Sequence, residues 1–190
     1  MKCVSIILLL FLVSACDLFT ARSPEQPDTP ANSNVPATSP DILFQNLKSS
    51  IEQKVLDNYM VCFVDSSFLK KKFKFIAASG PGSQYPTLSN WTLESERQYF
   101  KWQKAISQAG NSITLTLSNP FNTQYGDSAI YQFDYDLSLK ANDQNISGNY
   151  KGTARFKIFV DSRQQYVIVE WDDLRTSSGQ TWSDLKGRSY

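Results

Sequence analysis

Histidine is absent from all 190 residues of this chain. That removes the commonest general base near neutral pH and the commonest zinc ligand. Cysteine is scarce: Cys3, Cys16 and Cys62 are the three, with no CxxC pair and no ligand-like spacing. Charge of one sign is missing as well. Lys+Arg 19 against Asp+Glu 18 leaves a net charge of +1, which argues against nucleic acid as a partner. Gly80-Pro81-Gly82 has neither the spacing nor the lysine of a phosphate-binding loop, and there is no G-x-S-x-G elbow. No apolar run approaches the roughly 20 residues that span a bilayer as a helix. These absences leave no assignable metal ligand, cofactor or catalytic residue.

What is present begins with an address. Met1-Lys2 is followed by the apolar run Val4 to Val13 and then by Val13-Ser14-Ala15-Cys16. One early positive charge, a short apolar core and a small-residue exit describe a secretory signal peptide over residues 1–15. Small residues directly before a cysteine resemble the lipobox of bacterial lipoproteins, and Cys16 is the matching position. The resemblance implies cleavage before Cys16, acylation of that residue, and a domain held at the cell envelope on the periplasmic or extracellular side. The membrane then becomes a partner through the lipid at Cys16. Asp17, next in line, is in some Gram-negative systems an inner-membrane signal, a rule that is not universal. Residues 16–40 hold Pro24, Pro27, Pro30, Pro36 and Pro40 amid small polar residues. Such a segment buries too little apolar surface to fold and reads as an extended tether.

The folded domain is expected over 41–190. Ser39-Pro40-Asp41 supplies a cap, a first-turn proline and an acid. Leu43, Leu47, Ile51 and Val55 then recur every four residues, giving an amphipathic helix. Tyr59 to Val64 reads as a second short, largely buried helix, in which Cys62 is a buried, unpaired thiol. Phe73 and Phe75 alternate with lysines in a strand whose basic outer face is either a solvated edge or a contact for anionic lipid. Thr92 caps a third helix, with Glu94 and Glu96 early, Lys101 and Lys104 late, and Ala109-Gly110-Asn111 as its stop. Ile113, Leu115 and Leu117 alternate up to a turn at Asn119-Pro120. The alternation from Ala129 to Leu139 is unbroken.

Last comes a long hairpin. Its first limb, Ile146 to Val160, has one wet face. Its return limb, Tyr166-Val-Ile-Val-Glu-Trp171, is apolar on both parities and so is covered on both sides. A closing segment, TWSDLKG, ends the packed chain. The order of helices first and an antiparallel meander after them predicts an α+β domain.

SPDILFQNLKSSIEQKVLDNYMVCFVDSSF, WTLESE, GTARFKIFV, YVIVEWDDL and TWSDLKG resemble nuclear transport factor 2-like domains over about Pro40 to Gly187. The resemblance implies three N-terminal helices packed on a strongly curved, mostly antiparallel sheet, a cone with a cavity at its open end. Tyr59, Phe63, Trp91, Phe100 and Trp171 are the candidates for lining that cavity or filling the core. Related cones include ketosteroid isomerases and polyketide cyclases, whose catalytic aspartate would fall on Phe73–Ala77 and whose tyrosine would fall near Leu47. Neither residue type is there. Asp134 and Asp136 share a strand face, which reads as the solvated one, and Asp172-Asp173 reads as a strand-end pair. The function expected is a non-catalytic, membrane-anchored cone that binds a small apolar ligand or an envelope protein, with a second copy docking through the sheet as a further partner. The alternatives are an isomerase- or cyclase-like enzyme using a cavity carboxylate, and a structural or assembly protein of the envelope.

Overall fold

The computed structural model describes residues 35–107 and 112–190. The signal peptide, Cys16 and the tether as far as residue 34 lie outside them, as does the Ala109-Gly110-Asn111 helix stop.

Helix α1 (Pro40–Gln53) starts where its cap residues place it. Ser39 accepts the Ile42 N–H at 3.3 Å, Pro40 occupies the first turn, and Lys54 ends the helix in a left-handed conformation. Leu43, Phe44, Leu47 and Ile51 are its buried stripe. Helix α2 (Leu56–Met60) starts three residues before the expected Tyr59–Val64 helix and ends four residues earlier than it. Val61 is exposed, and Cys62–Val64 leave the helix to run beside a strand: the Val64 N–H donates to Ile168 O and the Ile168 N–H to Cys62 O, both at 2.9 Å. Backbone pairing along a sheet edge outcompetes one more helical turn. Cys62 is buried, which pushes its thiol up to about 12.

Next come β1 (Lys74–Ile76), a single helical turn α3 (Pro81–Gln84), a 3-10 turn over Pro86–Asn90, and α4 (Leu93–Ile106). In α4 Thr92 and Ser95 form a reciprocal capping box. Strands β2 (Ile113–Tyr125), β3 (Ser128–Leu139), β4 (Gly148–Val160) and β5 (Tyr166–Leu174) follow, and α5 (Trp182–Gly187) is last. Among the described residues the sheet order is β1-β5-β4-β3-β2, antiparallel except where β1 runs parallel to β5. This is the expected α+β architecture.

Asn119-Pro120 is not a turn. Strand β2 continues through it, with Asn119 at φ 51° and a register shift between Ser118 and Phe121, and the chain turns at Gly126 instead. Proline offers no N–H to the ladder, and a bulge in an edge strand takes it without breaking the pairing. A second shift, between Lys157 and Ile158 opposite β5, adds to the curvature of the sheet.

The open side of β5 is covered piecemeal. Ala37 O accepts the Tyr166 N–H at 2.8 Å, Phe63 bridges Ile168, and β1 pairs with Glu170 to Asp172. Ala37 is buried, and Asn46 Nδ2 donates to Val35 O at 2.6 Å, so residues 35–39, read as the end of the tether, pack on the domain. The three cover segments leave no long run of β5 backbone free to pair with another chain.

Trp171 lies at the centre of the packed interior, fully buried. Its ring meets Phe75, Phe156 and Trp182 at centroid distances of 5.7, 5.1 and 4.6 Å. Its indole N–H meets no acceptor among the described residues, so the ring supplies volume and π-faces and no hydrogen bond. We therefore expect Trp171→Ala to destabilise the chain by about 3–5 kcal/mol and Trp171→Phe to recover most of that loss. Thermal or denaturant unfolding of the two variants checks this, and equal losses would mean the indole N–H does have a partner.

Candidate functional site

The polar centre of the domain lies inside it. Glu96 sits on α4 at the spacing of Tyr99, Phe100 and Gln103, the buried residues of that helix. The sequence reading gave Glu96 to the helix dipole together with Glu94. Glu94 is exposed and bonds Gln98 and Arg97 on the surface, while Glu96 is fully buried. Its Oε1 accepts the Tyr59 hydroxyl at 2.6 Å, and its Oε2 accepts the Trp91 indole N–H at 2.6 Å. Oε2 also accepts from the Nζ of Lys186, which α5 carries into the interior and buries completely.

The ammonium of Lys186 sits in an aromatic box. It lies 3.9 Å from the ring centre of Trp171, 4.1 Å from Phe75, and 5.3 Å from both Trp91 and Tyr99. These are cation–π distances at a fully buried place, where bulk solvent screens them little. Burial pulls Lys186 down to about 8, with Glu96 opposing the shift. Tyr59 and Tyr99 are held well above their ordinary range, by burial first and the Glu96 charge second.

A second carboxylate anchors the same helix. Asp172 and Asp173 do lie at the end of a strand, both still within β5 and both buried, and they face opposite ways. Asp172 points to the outer face and pairs with Arg155. On the inner side Asp173 Oδ1 accepts the Tyr135 hydroxyl at 2.7 Å. Asp173 Oδ2 accepts the Ser183 N–H at 2.7 Å and its hydroxyl at 2.5 Å. Tyr135 in turn accepts the Trp182 N–H at 2.8 Å, and the Trp182 indole donates to Tyr99 at 2.8 Å. Gly152 makes this reach possible, because a Cβ there would stand 2.8 Å from the Tyr135 hydroxyl oxygen and 2.6 Å from Leu174 O. Gly187 plays the same part for Tyr85, whose ring a Cβ would meet at 2.2 Å. Asp184 closes the start of α5 by accepting the Thr181 N–H at 2.7 Å and pairing with Arg175.

Of the residues singled out in the sequence, Tyr59, Trp91 and Trp171 meet around the Glu96–Lys186 pair. Phe63 and Phe100 pack on Tyr59, at 5.0 and 4.3 Å between ring centres. All five are buried, and side chains of the same chain, chiefly from α5, fill the space between them. In the sequence Glu96 reads as a dipole residue and Asp173 as half of a strand-end pair, and nothing marks Tyr99, Tyr135 or Lys186 as site residues. The signal for Glu96 was its place on the apolar stripe of α4, and for Lys186 its position four residues after Trp182. Asp134 is exposed and Asp136 half-buried on the outer face. Asp134 takes hydrogen bonds from Asn119 and Thr153, which lower its carboxyl below the usual range, and Asp136 pairs with Lys151. The catalytic positions of related cones hold buried Leu47 on α1 and Phe73 to Ala77 around β1.

A separate groove of about 280 Å³ lies outside this centre, lined by Val64, Lys71, Phe73 and Leu93 among others. Its lining combines apolar Val64, Phe73 and Leu93 with Lys71, Lys72 and Glu94.

The burial of Lys186 carries a sign. A lysine lowered in the folded state binds fewer protons there than in the unfolded chain. Stability therefore rises with pH once the folded group starts to deprotonate at about 8, until the unfolded group does so near its ordinary value. Glu96, Tyr59, Tyr99 and Asp173 face it, and the tyrosines stay protonated across that window. Relative to Lys186→Met, the wild type should gain stability as the pH rises from about 8 to about 10. Urea unfolding of both chains at several pH values checks this, and a flat difference would place the folded Lys186 near its ordinary value.

No family model matches the sequence, and no curated protein matches it significantly. Solved structures do. A candidate aromatic ring hydroxylase from Novosphingobium aromaticivorans superposes with a TM-score of 0.56 at 14% identity, over 76% of this chain and 92% of that one. A candidate dehydratase of the nuclear transport factor 2-like family from Streptomyces avermitilis gives 0.56 at 7% identity, over 73% and 94%. A nuclear transport factor 2-like protein from Cytophaga hutchinsonii gives 0.51 at 10%, over 70% and 92%. At these identities the likeness is one of architecture, and the domain has the nuclear transport factor 2-like fold.

Proposed function

We propose that this chain is a cell-envelope lipoprotein, anchored to the membrane through Cys16, whose cone domain binds a small apolar ligand or a protein partner and performs no chemistry of its own. The observation that carries the non-catalytic reading is the state of Glu96 and Asp173, the carboxylates that meet around α5. Glu96 is engaged by Tyr59, Trp91 and Lys186, and Asp173 by Tyr135 and Ser183. A general base needs a free lone pair aimed at substrate, in a space the substrate can enter. Here the lone pairs take internal donors, and α5 fills the space. The hydroxylase and dehydratase descriptions of two fold neighbours favour an enzyme only if that filling is removed. The groove beside Val64, Phe73 and Leu93 offers binding without such a rearrangement.

Support for the anchor comes from Val13-Ser14-Ala15-Cys16 closing a short apolar run, with the proline-rich segment after it as a spacer. Cells fed a fatty-acid analogue should label the wild-type chain and leave Cys16→Ala unlabelled. Equal labelling of the two would refute the anchor.

A further inference from the structure

The setting of Lys186 is an unusual way to hold a short helix in place. Burying an ion pair strips water from both charges, and a well-packed apolar pair of similar volume is often as stable or more so. A leucine or methionine at position 186 would serve packing. What the interior offers instead is recognition chemistry. Two π-faces stand at 3.9 and 4.1 Å, two more at 5.3 Å, and a carboxylate is hydrogen-bonded by Tyr59 and Trp91 so that Oε2 points at the ammonium. Aromatic rings with a fixed anion are the surroundings that protein sites use to select organic ammonium ions over neutral molecules of the same shape.

Every lining residue is carried by an element other than the helix that fills the space, although Trp182 of α5 packs on Trp171 and bonds the Tyr99 hydroxyl. Phe75 and Trp171 belong to paired strands, Glu96 and Tyr99 to the long helix α4, and Trp91 directly precedes that helix's cap. The occupant sits on a helix of six residues, reached from β5 through exposed residues 176–180. Moving α5 breaks no strand pairing. It gives up the contacts of Trp182, Ser183, Leu185 and Lys186, the packing of Gly187 on Tyr85, the Asp184–Arg175 pair, and the bonds from Ala78 N–H to Ser183 and from Lys151 N–H to Gln180.

We propose that the interior of the cone is a binding site for an organic ammonium group, such as that of an alkylamine or another small amine, and that Lys186 occupies it in cis, with α5 as a displaceable stopper. The domain is then self-occupied at rest, and an amine of suitable size competes with its own lysine. This goes beyond the binding role proposed above, and it stands whether or not Cys16 carries lipid.

Lys186→Ala in the full-length chain, purified in detergent micelles, removes the part of the side chain that n-propylammonium replaces. Titration with n-propylammonium chloride should change the tryptophan fluorescence saturably and raise the melting temperature. Affinity should exceed that for 1-propanol about tenfold. Adding Glu96→Gln to the variant should abolish that preference, and Lys186→Met, which fills the space without charge, should bind neither probe. Equal responses to the amine and the alcohol, or none to either, would overturn the site. If Lys186→Ala does not fold alone, refolding with n-propylammonium but not with 1-propanol supports the same conclusion, and failure with both counts against it. The wild-type chain tests the stopper. Amide hydrogen exchange over 181–187 should speed up in n-propylammonium and not in 1-propanol, and unchanged exchange at concentrations that saturate Lys186→Ala would overturn displacement.

Discussion

One buried ammonium, shared between the Glu96 carboxylate and the faces of Trp171 and Phe75, holds the interior of this domain together. Each partner comes from a different element: Glu96 from α4, Phe75 from β1, Trp171 from β5 and Lys186 from α5. The constraint works through the cost of failure. If Glu96 or Lys186 leaves and no other charge takes its place, its partner is left in a medium that cannot solvate it, a far larger penalty than the loss of an apolar contact. Tyr59 and Trp91 fix Glu96 from two further segments. The Asp173–Tyr135–Ser183 cluster repeats the device one turn earlier on α5, with Gly152 giving the space.

This arrangement accounts for why a cone fold has a solid interior here. Trp182 and Lys186 of α5 stand between the sheet, at Tyr135, Trp171 and Phe75, and α4, at Glu96 and Tyr99. They fill that space, and the carboxylates there are satisfied by internal donors. Interaction with other molecules then falls to the exterior, the groove at Val64, Phe73 and Leu93 included, unless α5 is displaced. The lysines at 70, 71 and 72 remain exposed beside that groove, with Lys71 resting on the Phe159 ring at 4.3 Å.

The fold was legible because its signals are local and periodic. The two-residue alternation in β3 and β4, the both-sided apolarity of β5, and the Ser39-Pro40 and Thr92 caps each map onto an element that formed. The misreadings have one cause, which is that tertiary partners decide between local options. Cys62–Val64 left their helix because β5 offered an edge, and Asn119-Pro120 stayed in a strand because a bulge absorbed the proline. The site was less legible. Tyr59, Trp91 and Trp171 stood out as large aromatics. A glutamate in a first helical turn and a lysine in a last one, however, look the same whether they face water or one another across 90 residues of chain. Only the stripe that Glu96 shares with Tyr99 and Gln103 separates the two, and that stripe gains meaning once the partner is known.

A double-mutant cycle on Glu96 and Lys186 measures the dependence of the fold on this pair, using Glu96→Gln, Lys186→Met and the two combined. Glu96→Gln should cost on the order of 3 kcal/mol by stranding the ammonium, and the double variant should cost much less than that change alone. Effects that add to within about 0.5 kcal/mol would mean the two side chains act independently, and would contradict the account.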